Sequence, residues 1–360
     1  MRILFACGRE PTYPRNDVLL RALGRLGAVE TVTDSQPGSL VLRSLRILMR
    51  LLPRLARQYD LAFVGFYGYL LMLPVGALSR RPILFDAFVS NYDTLCFDRA
   101  RFLPNSLPGH LAFWLDRTTC QRADRVLLDT TLHADYFAKT FGLPPSKFHV
   151  LPVGCNEDLF HPHPLSVSPD GMTRVLYYSS YLPLHGVETV VHAATLLQSE
   201  SRIHFRLIGH GQEYTAVREL AADLKNVTFV PPCPLDALPA EIASADICLG
   251  GHWGRSAKGG RVVPGKVYQM LAMARPVIAA DTAANQTLLS HQVTAYLCPP
   301  NEPEALAAAI LRLHNDVELR NYLAANGRNL YATRCSEAVI TERLGVLVHE
   351  MIDQDTLGKA

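Results

Sequence analysis

This 360-residue sequence carries no Cys-x-x-Cys pair, no Walker A sequence and no surplus of either charge. Its eight cysteines (Cys7, Cys96, Cys120, Cys155, Cys233, Cys248, Cys298 and Cys335) are scattered without a short-range Cys/His grouping. That excludes the spacing of a zinc site or of a small disulfide framework. Several lie in apolar runs, as Cys248 does between Ile247 and Leu249, so buried reduced thiols in a cytosolic protein are expected. Lys and Arg number 35 against 33 Asp and Glu, a net charge of +2, too balanced for a general nucleic-acid binder. A complete dinucleotide fingerprint is also missing. Gly209-His210-Gly211 follows an apolar run, but Tyr214 stands where the third glycine would be, which counts against an NAD or FAD enzyme.

Long hydrophobic runs are scarce. Positions 61–78 are uncharged, but Gly65, Gly68, Pro74 and Gly76 interrupt them, so a buried strand followed by a short helix is expected rather than a membrane span. The first residues are too short for a signal peptide and read as a strand that starts at once. What is present is a globular composition, 49% hydrophobic and 19% charged, with short apolar runs alternating with helical patterns. Strands are expected at 2–6, 29–33, 61–65, 82–85, 125–128 and 148–151. After a Ser/Pro/Gly-rich linker at 164–171 they recur at 174–178, 204–208, 227–230, 246–249, 276–279 and 295–297. Alternation at this spacing predicts parallel sheets covered on both faces, hence two Rossmann-like, doubly wound α/β domains facing a central cleft. Domain boundaries are expected at 1–163 and 172–336, with a last helix in 337–360 packing back on the first domain.

Two segments carry local chemistry. Residues 250–266 hold six glycines and four cations (Arg255, Lys258, Arg261 and Lys266) with no acid, and run into a helix start. A flexible positive loop that ends at a helix N-terminus suits a diphosphate. Residues 40–57 place Arg43, Arg46, Arg50, Arg54 and Arg57 on one helical face, with no acid in the segment. That pattern predicts contact with an anionic membrane surface, at the inner face of the cytoplasmic membrane.

The order of motifs resembles the GT-B glycosyltransferases of family 4. The run Ala123-Asp124-Arg125-Val126-Leu127-Leu128 is followed by Gly142-Leu143-Pro144-Pro145-Ser146-Lys147-Phe148-His149-Val150 and by Phe160-His161-Pro162. That sequence is similar to the end of the family's first domain. In the second half, Ser179-Ser180-Tyr181-Leu182-Pro183-Leu184-His185-Gly186, Ile208-Gly209-His210-Gly211, Ala245-Asp246-Ile247 and the stretch Pro264–Ala279 continue the likeness. It covers nearly the whole chain and is weakest over 1–100.

The resemblance implies a retaining glycosyltransferase that needs no metal and no cofactor. It would take a UDP- or GDP-linked sugar in the second domain and a glycan, lipid-linked or small-molecule acceptor in the first. Ser180, His185, Gly209, Gly211, Arg255, Lys258, Gly265, Val267 and Gln269 are the donor-binding positions it points to. Arg261, Lys266 and Asp86 are the catalytic candidates, with Asp93 a second carboxylate of the first domain. The sequence departs from the family where an Arg and a Lys usually bind the diphosphate: Ser180 and His185 stand there. The family's Glu-x7-Glu pair is replaced by Arg261 and Gln269. The cations of 255–266 are expected to supply the missing charge. A catalytically silent binding subunit and a non-hydrolysing nucleotide-sugar epimerase are the alternative readings.

Overall fold

The computed structural model describes residues 1–36, 38–163 and 171–357, so all but Gly171 of the expected linker lies outside the described residues. The chain divides into two compact units: Met1–Asn156 with Glu337–Ala360, and Glu157–Ser336.

The first unit runs β1 (Arg2–Ala6), α1 (Pro14–Leu26), β2 (Ala28–Val32), α2 (Leu40–Leu51), β3 (Leu61–Val64), α3 (Tyr69–Leu78), β4 (Ile83–Asp86), α4 (Asn91–Asp93), α5 (Leu107–Arg122), β5 (Arg125–Leu128), α6 (Thr131–Phe141) and β6 (Phe148–Val150). Its strands form a parallel sheet in the order β2-β1-β3-β4-β5-β6. The central strands are enclosed along their whole length, which is why they read as unbroken apolar runs. Helices α2, α3, α5 and α6 share one apolar layer on one face of the sheet.

The second unit runs β7 (Thr173–Ser179), α7 (Val187–Leu196), β8 (Ile203–Gly209), α8 (Tyr214–Leu220), β9 (Val227–Val230), α9 (Leu238–Ala243), β10 (Ile247–Gly251), α10 (Gly265–Ala272), β11 (Val277–Ala280), α11 (Ala283–Leu288), β12 (Tyr296–Cys298), α12 (Pro303–Asn315) and α13 (Val317–Arg334). Its sheet, also parallel, has the order β12-β11-β10-β7-β8-β9. The order reverses between β7 and β10, the first and fourth strands of the unit, and that crevice is where such sheets take ligands.

A last helix, α14 (Glu337–Leu357), belongs to the first unit. It lays Ile340, Leu344, Val348 and Met351 against α1 and the other face of the sheet. Its first residue, Glu337, is enclosed and accepts from Arg21 Nε at 2.9 Å and from an Arg25 guanidinium nitrogen at 2.7 Å.

Two expectations for the first unit are corrected. Asp86 offers no face to a sugar or an acceptor. It has 0% exposure, and both its oxygens accept from Arg15, whose remaining nitrogen donates to the carbonyls of Leu151 and Pro152. This buried pair ties the end of β4 to α1 and to the chain leaving β6. Asp93 is likewise enclosed at the end of α4, its backbone N–H donating to Ser90 Oγ.

The arginine face of α2 is paired within the fold. Arg43 pairs with Glu10 at 2.6 Å, Arg46 and Arg50 with Asp34 at 2.6 and 3.6 Å, and Arg54 and Arg57 with Glu30 at 2.7 and 3.5 Å. The segment itself has no acid, but β2 and the loops that follow β1 and β2 supply three. Pro53 also ends the regular helix at Leu51 and leaves a short 3-10 turn over Leu52–Ala56.

Replacing Asp86 by Ala strands the Arg15 guanidinium without a counter-charge. The expected cost is about 3–5 kcal/mol, read as a lower urea midpoint; Asp86→Asn, which keeps an acceptor, loses less.

Candidate functional site

The site grows from the two strands that flank the reversal of sheet order in the second unit. β7 ends at Ser179 and β10 at Gly251, and each gives way to a loop that folds over the strand ends. After β7 the chain turns through Tyr181 and the 3-10 turn Pro183–His185, then enters α7 through Gly186 in the left-handed region, at φ 58°. A β-carbon on Gly186 would overlap the backbone of Trp253 and Gly254. Only glycine allows both that φ and that approach. Gly254 sits equally close to the Pro183 carbonyl, so the two loops touch backbone to backbone. Gly209 and Gly211 do the same beside Ser179 and Ser180, a packing role rather than a direct hold on a ligand.

Against this frame lie the charged groups. Lys266, in the first turn of α10, is 8% exposed, and its Nζ stands 4.2 Å from the centroid of the Tyr177 ring. The ammonium makes a cation–π contact there but has no hydrogen-bond acceptor. Burial pushes its pKa down to about 7. Beside it the His185 and His252 rings stack, their centroids 5.8 Å apart. Burial, Lys266 and Lys258 together drive His185 down to about 3; burial, His185 and the same lysines push His252 well below its usual range. Both imidazoles are therefore neutral donor–acceptors at physiological pH. His185 Nδ1 accepts from the Leu182 backbone N–H at 3.3 Å, which leaves the proton on Nε2.

Two enclosed polar atoms without partners meet here, Lys266 Nζ and His252 Nδ1; Trp253 Nε1 also lacks a partner, but its ring lies in the apolar core of the unit. Each costs free energy until something answers it. Gln269, one turn further along α10, receives the Tyr178 hydroxyl on Oε1 at 2.7 Å, which fixes its amide. Asn285, enclosed, donates to the carbonyls of Ala280 and Gly251 and so supports the end of β10.

Of the residues expected from sequence, His185, Lys258 and Lys266 form one electrostatic cluster, with Gln269 on the same helix as Lys266. Ser180, Arg255 and Gly265 are exposed on the surrounding loops, and Arg261 is partly exposed at the end of the 3-10 turn Ala257–Gly260. Val267 does not join them. Its side chain is a fully buried packing contact under Gly250, and its N–H donates to the Pro264 carbonyl. Tyr177, Tyr178, His252 and Trp253 were not expected. Tyr177 and Trp253 sit in apolar company and read as core, so only the meeting of β7 with the loop after β10 reveals their polar ends. Among the described residues, no group of three or more His, Cys, Asp or Glu side chains is placed to share a metal ion. Nor is any described helix long and apolar enough to cross a membrane.

Residues 173–316 match the family described as "Glycosyl transferases group 1". Over 299 residues, 80% of this chain and 74% of the relative, the sequence is 24% identical to alpha-D-kanosaminyltransferase of Streptomyces kanamyceticus. It is also 24% identical, over 64% of this chain and 57% of the relative, to D-inositol 3-phosphate glycosyltransferase of Thermobispora bispora. Among solved structures, Anabaena HepE in complex with UDP superposes with a TM-score of 0.73 at 18% identity, covering 97% of this chain and all of that one. Sucrose-phosphate synthase from Thermosynechococcus elongatus gives 0.78 at 17% identity over 98% of this chain and all of that one. The fold is that of the GT-B enzymes, two Rossmann-like domains.

The buried ammonium sets a stability prediction. Lys266 titrates at about 7 when folded and near the ordinary lysine value of 10.5 when unfolded. The unfolded chain therefore binds more protons between those values, and stability rises with pH across that window. Lys266→Met removes the cost, so it stabilises the free protein by on the order of 2–4 kcal/mol at pH 6 and by less at pH 9. Urea denaturation at the two pH values reads the difference.

Proposed function

Taking the chain as a GT-B glycosyltransferase whose second unit is a group 1 glycosyltransferase domain, we propose that it moves a sugar from a nucleotide diphosphate to a hydroxyl acceptor with retention at the anomeric carbon. The observation that carries this reading is the unanswered enclosed ammonium of Lys266, with His252 beside it, at the first turn of α10. A diphosphate answers both at once. Its oxygens accept hydrogen bonds and its charge meets the ammonium and the positive end of the helix. A solved structure of the same fold holds UDP, which favours UDP over GDP as the donor nucleotide.

As the bond between sugar and phosphate breaks, negative charge grows on the leaving diphosphate. Lys266 and Lys258 are the buried cations that act on His185, and they stabilise that charge where bulk water screens it little. Arg261 and Arg255, on the loop above, add to the field that draws the donor in. His185 and His252, being neutral, donate N–H without adding charge. Gln269, steered by Tyr178, keeps an amide N–H for the ribose hydroxyls. Positioning and electrostatics therefore do the work, with no protein nucleophile and no metal in the scheme. The acceptor is a glycan, a lipid-linked sugar or a small molecule. With Asp86 locked to Arg15, no first-unit carboxylate is assigned to it.

Isothermal titration with UDP-glucose tests the donor site. Lys266→Ala and Lys258→Ala are each expected to weaken binding about 10- to 100-fold, and Arg261→Ala less. Unchanged affinity in all three would remove the diphosphate from this loop. Binding should also weaken as pH rises through about 7, because Lys266 must then regain a proton to meet the donor, and Lys266→Met should flatten that dependence. Release of UDP from the donor, with the product anomer read by NMR, distinguishes a retaining transferase from a binding subunit that does not turn over and from an epimerase.

A further inference from the structure

Helix α2 has apolar residues on two faces. Arg43, Ser44, Ile47 and Leu51 are buried against the sheet and the arginines pair along its flank with Glu10, Glu30 and Asp34, while Val41, Leu45, Met49 and Leu52 form a stripe at spacings of 4, 4 and 3 that faces solvent. Val41, Leu45 and Met49 are 67%, 54% and 63% exposed. Ile47 and Leu51 already fill the core-facing side and the ion pairs hold the flank, so the outward apolar stripe has no place in this unit's core. On the same side of the sheet α5 repeats the pattern, leaving Leu107, Leu111 and Trp114 exposed at spacings of 4 and 3. A contiguous apolar stripe of this kind marks an interaction surface.

The ground beside the stripe is cationic. Leu52 also lines a groove of about 600 Å³ shared with Leu55, Tyr59, Leu78, Arg80 and Arg81. Arg80 and Arg81 continue into a polar cavity of about 490 Å³ together with Arg122 and Arg125. The cavity's carboxylates are committed to the fold: Asp124 accepts from the Ile83 N–H at 2.7 Å and Asp355 pairs with Arg81 at 3.3 Å. Arg50 and Arg57 lie exposed along the same flank.

We propose that the first unit docks on an anionic phospholipid surface through the outward apolar face of α2, with headgroup phosphates taken by the arginines beside it. Apolar side chains enter the acyl boundary while a cationic rim meets the phosphates. A second copy of the chain fits worse, because a two-fold interface sets this rim against itself, arginine facing arginine. The inference stands on the first unit alone and is independent of how the donor is held.

Co-sedimentation of the full chain with phosphatidylcholine vesicles, with and without phosphatidylglycerol, tests it. About tenfold more protein should pellet with the anionic vesicles, and added salt should reduce it. Leu45→Asp with Met49→Asp should abolish the pelleting while leaving UDP-glucose binding intact, which shows that the variant is folded. Arg80→Glu with Arg81→Glu supplies an independent variant with the same expected loss. Equal pelleting on both vesicle types, or none, overturns the proposal. So does release by inorganic phosphate without any effect of the Leu45 and Met49 substitutions, which would make the cavity a free-anion site. A dimer in solution that the Leu45 and Met49 substitutions dissociate would assign the stripe to a second copy instead.

Discussion

An ammonium group enclosed without a counter-charge is the constraint around which the second unit is arranged. Nothing in the packing of α10 requires a lysine at its first turn; an apolar side chain would fill the same space at lower cost. The Tyr177 ring, 4.2 Å away, recovers part of the lost hydration but accepts no hydrogen bond from it. Two histidines that would otherwise share the positive charge are kept neutral first by burial and then by the same field. The arrangement costs stability in the free protein, and the diphosphate proposed for it would remove that cost, as in sites selected for what they bind rather than for the stability of the empty fold.

The first unit handles buried charge in the opposite way. Arg15 is matched by Asp86, and Arg21 and Arg25 by Glu337, each pair linking elements distant in sequence. These enclosed charges are satisfied, and they hold α1, β4 and α14 in register rather than waiting for a ligand. The contrast separates charge that serves architecture from charge that serves recognition, a distinction that exposure alone would miss.

Much of this was legible in the chain. Parallel strands enclosed on both faces must be continuously apolar, so the twelve runs expected as strands all appear, with boundaries off by a residue or two. The meeting of Lys258 and Lys266 beside His185 was also readable, because the loop that carries them is rich in glycine and cations, has no acid and runs straight into α10. Partnership across the fold was not readable. The arginines of α2 carry no mark of Glu10, Glu30 and Asp34, and Asp86 carries none of Arg15, because pairing partners up to 71 residues away are set by strand order. Helix α13 escaped for a related reason. Only a thin line of residues (Leu323, Ala324, Gly327 and Tyr331) is buried in an otherwise polar segment, and Gly327 is there to let Leu271 of α10 come close.

The return of α14 to the first unit has a consequence for biogenesis. Ile340, Leu344 and Val348 cover one side of a sheet whose first strand was made more than three hundred residues earlier. During synthesis that sheet face is uncovered until the whole second unit has left the ribosome. The unit made second therefore has all its own elements first, and the unit made first waits for its last helix. Chaperone demand should concentrate on the exposed α1 side of the nascent sheet, and an arrested chain that stops before residue 337 would display that apolar face.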